Sequence, residues 1–310
     1  MDRPYRLLTT APRGPTAHTH MLLHVVHGGE RRTDQVQAAT IQTGLPVLDG
    51  PAEEWWLSPE AVHPIEHAGV ALRANRDIAM GCVHLHEADL RADTAGTAQA
   101  AFASLLAAIK HAGYPWLLRT WIYLADIHRG SDDNERYRQF CVGRARALAE
   151  HTRGPMDYPA ATAIGIPSGG GGSIHFLAAT RAGEAIENPR QTSAFDYPRR
   201  YGPQPPSFVR AMRTPWHDLL VSGTASVVGH DSHFPGDAEA QAATTRDNVH
   251  ALLAQSPADW KTERTIIYVR EPQDLAAVGA LRPATGDCTV LQGDICRPEL
   301  MLECEVLLRG

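Results

Sequence analysis

Two groups of side chains in this sequence can do chemistry. The first lies in residues 188–212, NPRQTSAFDYPRRYGPQPPSFVRAM, where Arg190, Arg199, Arg200 and Arg210 face a single acid, Asp196, in a chain whose formal charge is −6. Cations gathered against the prevailing charge point to a site for a small anion. The second is the C-terminal stretch LMLECEVLLRG. Strand alternation sends Leu302, Cys304 and Val306 to one face and Glu303 and Glu305 to the other, so a near-apolar strand carries two carboxylates on one side. A third element adds a cation. In NERYRQFCVGRARALAEH, Tyr137, Phe140, Cys141, Arg144 and Leu148 recur at helical spacing, leaving Arg144 on an otherwise apolar stripe. A buried guanidinium there needs a ligand or a structural carboxylate, or else it snorkels to water.

The elements that must position these groups are legible in outline. Five prolines (Pro189, Pro198, Pro203, Pro205, Pro206) stiffen the basic segment, and the aromatic residues Phe195, Tyr197, Tyr201 and Phe208 argue against disorder. It reads as a long functional loop. With 310 residues, 43% of them hydrophobic, the chain can build a sizeable core. The negative charge disfavours nucleic acid as a partner. No apolar run is long enough to span a bilayer, and the start MDRPYRLLTTAPRG lacks the apolar core of a signal peptide, so the expectation is a cytoplasmic protein without a membrane partner. Five cysteines without a Cys-x-x-Cys pair imply reduced thiols. The sixteen histidines show no third ligand at metal spacing, so no metal site is expected. The run Gly169 to Gly172 leads into a strand and not a helix, which makes it a mobile hairpin rather than a phosphate loop.

An internal repeat organises the rest. Gly81 and Gly223, and likewise Gln99 and Gln241, are 142 residues apart, and Arg119-Thr120-Trp121-Ile122-Tyr123 matches Arg264-Thr265-Ile266-Ile267-Tyr268. The repeating unit is strand, helix, strand, second helix, strand, strand, with PQDLAAVGALRP as the shorter second helix of the second copy. An α+β fold of two pseudo-symmetric units follows. The expected organisation is an N-terminal extension (1–70), a first unit (71–186), an arginine- and proline-rich insert (187–217) and a second unit (218–310).

Both halves, Ile78 to Ala179 and VSGTASVVG through LMLECEVLL, resemble the YjgF/RidA, chorismate-mutase-like fold. The combination of WLSPE, LLRTWIYLADI, NERYRQFCVGRARAL, ENPRQTSAFDYPRRYGPQPPSF and SGTASVVGHDS resembles the chorismatases, which join two RidA-like units in one chain. The resemblance implies an enzyme that removes the enolpyruvyl group of chorismate as pyruvate, leaving a hydroxybenzoate (3-hydroxybenzoate favoured) or the 3,4-dihydroxycyclohexadiene carboxylate, with no metal or organic cofactor. It implies Glu303 as the acid that protonates the methylene, with Glu305 as the fallback and His175 at the matching position of the first unit. Chorismate is a dianion, so Arg200, Arg210 and Arg144, with Tyr201 as a donor, are the expected binding residues. Gly223 and Thr224 would bring backbone amides to the ligand, and Ala225 and Gln292 would influence the product. The arginine that RidA proteins use for a carboxylate is replaced by Ala161 in one unit and by residues around Cys288 in the other. A RidA-like imine hydrolase and a non-catalytic sensor are the alternatives.

Overall fold

The computed structural model describes residues 3–12, 17–29, 40–256 and 258–310. The N-terminal part supplies β1 (Arg6–Leu8), the short α1 (Ala17–His20), β2 (Met21–Val26), β3 (Thr40–Gln42), β4 (Val47–Asp49) and β5 (Glu53–Leu57). Next come β6 (His63–His67), β7 (Val70–Ala74), β8 (Ile78–Leu85), α2 (Glu87–Ala92), α3 (Thr94–His111), β9 (Trp116–Ala125), α4 (Arg136–Ala149), β10 (Ala160–Ile166) and β11 (Gly172–Ala179). The remainder forms β12 (Glu184–Ile186), β13 (Ala211–Arg213), β14 (Asp218–Ala225), β15 (Val227–Val228), β16 (Asp231–Ser232), α5 (Ala238–Leu253), β17 (Lys261–Val269), β18 (Asp287–Gln292), β19 (Asp294–Ile295) and β20 (Leu302–Arg309).

The repeat is explicit in the strand orders. One seven-stranded sheet runs β19-β10-β9-β11-β8-β7-β6 and the other β4-β18-β17-β20-β14-β13-β12, the same order element for element. Each sheet borrows an edge strand from outside its own unit: β19 adds to β10 of the first sheet, and β4 adds to β18 of the second. The second unit thus lends a strand to the first sheet, and the N-terminal part lends one to the second.

Alternation explains the layering. Along β9, Ile122 and Leu124 face the α3/α4 layer, while Tyr123 and Ala125 meet Ala225, Ile266 and Tyr268 of the second sheet. Helices thus cover the outer faces and the inner faces pack on each other. The third side is closed by the four-stranded sheet β1-β5-β2-β3, whose Leu23, Val25 and Trp56 share a core with Met80, Leu118 and Leu177 of the first sheet and Leu220 and Leu307 of the second. In the first unit α4 lies against α3 because Gly143 has no side chain: a Cβ there would overlap the Ala95 carbonyl oxygen and press on the Ala98 Cβ. Gly143→Ala is expected to cost about 1–3 kcal/mol of stability by overpacking, measurable by urea denaturation.

Two sequence expectations need correction. Gly169 to Gly172 does not turn a hairpin, because β9 lies between β10 and β11 and pairs with both. The segment crosses over a strand instead. The second helix of the second copy is a 3-10 segment, Pro272–Leu281, and not an α-helix. Pro272 at its start suits either helical form, because the N–H it lacks has no intrahelical partner there.

Candidate active site

A cavity of about 540 Å³ opens where the two units meet. Tyr137 and Arg144 come from α4, Ala161 and Ala163 from β10, Gly223 and Ala225 from β14, and Glu303 from β20. The basic insert roofs it with Tyr197, Arg200, Tyr201, Phe208 and Arg210, and the turn before β20 adds Cys296 and Arg297. Of the expected site residues, Glu303, Arg144, Arg200, Tyr201, Arg210 and Gly223 therefore lie around one space.

Glu303 sits on a central strand, between β14 and β17 in the sheet, and is 5% exposed. Its side chain makes no hydrogen bond among the described residues. Burial, together with the like charge of Glu305, pushes its carboxyl up to about 8, against the opposing pull of Arg119 and Arg210. A carboxyl in that state holds its proton at neutral pH and can give it away. Gly223 makes room for it: a Cβ at that position would overlap the Glu303 carboxylate.

Glu305, two residues along the same face, is placed differently. Arg119 Nη2 donates to its Oε2 at 2.7 Å, Trp121 Nε1 donates to Oε1 at 3.0 Å, and the Thr162 hydroxyl donates to Oε2. Burial raises this carboxyl as well, and the opposing pull of Arg119 and Thr162 offsets only part of that rise. Three donors hold this carboxylate in place, and it does not line the cavity.

The cations divide by burial. Arg144, Arg210 and Arg297 are 1%, 4% and 8% exposed, and none has a carboxylate within salt-bridge reach among the described residues. Arg144 meets only the Cys141 sulfur, at 3.9 Å, so of the ligand, structural-carboxylate and solvent readings, the last two lose their support. Arg210 Nη2 donates to the Thr192 carbonyl and the Tyr197 hydroxyl, both at 2.7 Å. Arg297 Nη1 donates to the His230 carbonyl at 2.8 Å and the Ser232 hydroxyl at 3.0 Å, and its guanidinium stacks 3.9 Å from the Tyr201 ring centroid. Each of the three keeps one buried N–H without an acceptor: Arg144 Nε, Arg210 Nε and Arg297 Nη2. Three desolvated guanidiniums with donors to spare have the chemistry to bind an anion. Arg200 differs, being 57% exposed at its side chain and paired with Asp231, whose Oδ1 also accepts from Tyr201 Oη at 3.1 Å.

Other expected positions fall away from the cavity. Thr224 is not among the lining residues; alternation turns its side chain from the face that Gly223 presents, and its hydroxyl donates to the Ser222 carbonyl at 2.9 Å. Gln292 lines a separate cleft beside His128 and Arg270, whereas Ala225 does reach the site. His175 is not the counterpart of Glu303. Ser173 pairs with Tyr123 and His175 with Trp121, while Glu303 pairs with Tyr268 and Glu305 with Ile266. Because Tyr123 and Tyr268 are equivalent, Ser173 matches Glu303 and His175 matches Glu305. An even-numbered slip preserves the face, so alternation alone could not detect it.

Arg297 and Tyr137 are site residues that sequence reasoning missed. Arg297 stands alone between Cys296 and Pro298 with no basic neighbour to mark it. Its turn is held from behind by Arg270, which donates to the carbonyls of Ile295, Arg297 and Pro298. Tyr137 lay within the helical stripe already noted, on the same face as Arg144, and that spacing was the available signal.

Comparisons with known proteins identify relatives of the whole chain. Residues 54–178 match the family described as chorismatase FkbO/Hyg5-like, N-terminal. The chain is 38% identical over 263 residues to a chorismatase of Streptomyces rapamycinicus, covering 77% of each chain. It is 36% identical over 232 residues to a 3-hydroxybenzoate synthase of Streptomyces hygroscopicus, covering 67% of each. A chorismatase crystal structure superposes with a TM-score of 0.84 at 29% identity, covering 98% of this chain and 97% of that one.

Proposed function

The chain belongs to the chorismatase family, and from that premise we propose that it converts chorismate to pyruvate and a hydroxybenzoate, with 3-hydroxybenzoate as the product and Glu303 as the initiating acid. The observation that carries the reading is a buried carboxyl, Glu303, without a hydrogen-bond partner among the described residues, facing the same cavity as three buried guanidiniums with unused donors.

The chemistry follows from those groups. The vinyl ether of the enolpyruvyl arm is a weak carbon base, and proton transfer from Glu303 to its terminal methylene generates an oxocarbenium ion. Arg144, Arg210 and Arg297 bind the carboxylates of the dianion and hold the methylene against Glu303, which is worth much of the barrier when the geometry is right. Attack on the cation by water or by a ring hydroxyl gives an adduct that collapses to pyruvate. Aromatisation of the ring then yields hydroxybenzoate with no net consumption of water, whereas the dihydrodiol outcome consumes one. Ala161 leaves the floor of the cavity without the strand arginine of RidA proteins, so carboxylate recognition passes to the insert and α4.

Incubating the protein with chorismate, assaying pyruvate and identifying the aromatic product by chromatography tests the reading; absence of pyruvate would overturn it, and a dihydrodiol would overturn the product assignment. Arg210→Ala removes a buried charge-assisted bond of about 1.5–3 kcal/mol, so KM for chorismate is expected to rise roughly 10-fold or more. Arg200→Ala should raise it less, because an exposed, paired guanidinium is screened. Equal effects of the two variants would remove Arg210 from the binding wall.

A further inference from the structure

Glu305 was the spare acid of the sequence reading, yet every one of its contacts argues for another task. It lies inside the fold, 6% exposed, on the same face of β20 as Glu303 and two residues away, hence about 6.6 Å along the strand. Its donors come from the first unit across sequence separations of 186, 184 and 143 residues: Arg119 and Trp121 on β9 and Thr162 on β10. Those donors stabilise its ionised form, while Glu303 has none. The same Thr162 Oγ1 accepts from the Gly223 backbone N–H at 3.0 Å, and Gly223 is the residue against which the Glu303 carboxylate rests. The first unit has no such pair, since Ser173 and His175 stand at the matching positions.

We infer that Glu305 is a positioning residue for the reaction: a fixed negative charge, held by Arg119, Trp121 and Thr162, that keeps the neighbouring Glu303 carboxyl in its proton-bearing form and, through Thr162, keeps Gly223 seated against it. The inference rests on Glu303 being the initiating acid. When two carboxyls share one buried face, the one with donors ionises first and the other retains its proton.

The other charged and titratable groups facing the pair do not substitute for Glu305. Arg144 from α4, Arg210 from the insert and Arg297 before β20 are cations and favour ionisation of Glu303. Tyr137, Cys296, Tyr123 and Tyr268 are held neutral by burial. Glu299 lies at the cavity wall, and Glu54 on β5 is engaged with Arg264 and His27. Cys304 points to the opposite face, towards the α5 layer.

The test is the pH profile of kcat for pyruvate release in the wild type, Glu303→Gln and Glu305→Gln. In Glu305→Gln the like charge is gone and Arg119 is uncompensated, both of which favour ionised Glu303, so the alkaline limb is expected to move to lower pH by about one unit or more while the acid-side plateau stays within a few-fold of wild type. A merely structural Glu305 would lower the melting temperature and leave the limb where it was. An unmoved limb in a folded Glu305→Gln protein, with Glu303→Gln inactive, overturns this inference alone; an active Glu303→Gln overturns the assignment of the acid as well. If Glu305→Gln does not fold, the double variant Arg119→Met/Glu305→Leu, which exchanges the buried ion pair for apolar side chains, carries the same test with a smaller shift in the same direction.

Discussion

Glu303→Gln is expected to lower kcat for pyruvate release by about 10²-fold or more while the protein stays folded, because a positioned general acid contributes on that scale and an amide has no proton to give. The wild-type rate should be highest below about pH 8 and fall above it, as the carboxyl that burial holds at that value ionises. The same group links folding to pH with an unusual sign. Its ordinary value is 4.5, so between 4.5 and about 8 the folded state keeps a proton that the unfolded state has lost. Stability therefore decreases as pH rises through that window and is flat with respect to this group on either side. The contribution is fully present below the ordinary value, and Glu303→Gln removes the slope. Urea denaturation of both proteins at pH 5 and pH 8 measures it; an identical pH dependence in the variant would show that Glu303 does not hold its proton in the folded state.

Gly223→Ala should be nearly as damaging to turnover, for a steric reason. The added methyl occupies the space of the Glu303 carboxylate and comes within 3.3 Å of the Thr162 methyl, so the carboxyl must rotate away or β14 must move. A misplacement of about 1 Å costs on the order of 10²-fold in a reaction that depends on aligned groups. Gly81→Ala is the matched control. Its Cβ would press on the Ala71 carbonyl and the Phe176 ring, each at 2.7 Å, in the helix-facing layer of the first unit. That change should lower the melting temperature and leave kcat of the folded fraction intact. Loss of turnover from Gly81→Ala equal to that from Gly223→Ala would mean that neither effect is local to the site.

The two glycines separate what a sequence encodes locally from what only folding supplies. By itself the sequence determined the properties that depend on near neighbours: the α+β repeat, from its matched strands and the 142-residue spacing; the shared face of Glu303 and Glu305, from the period of a strand; Arg144 on an apolar helical stripe; and a cationic insert stiffened by proline. Tertiary structure decided which glutamate is free. Arg119 and Thr162, far away along the chain, claim Glu305 and leave Glu303 unpaired, and no local pattern distinguishes two carboxylates on one strand face. It decided which buried cations line the cavity as well, bringing Arg297 from an unremarkable turn to the same space as Arg210 and Arg144 while leaving Arg200 exposed on Asp231. Strand register made Ser173 rather than His175 the counterpart of Glu303, and the addition of β19 to the first sheet and of β4, from the N-terminal part, to the second tied the sheets into one framework. Periodicity is written in adjacent residues, but desolvation and charge pairing depend on which distant segments arrive at the same place. The upward pull on the Glu303 carboxyl is therefore a property of the assembled interior and not of the strand that carries it.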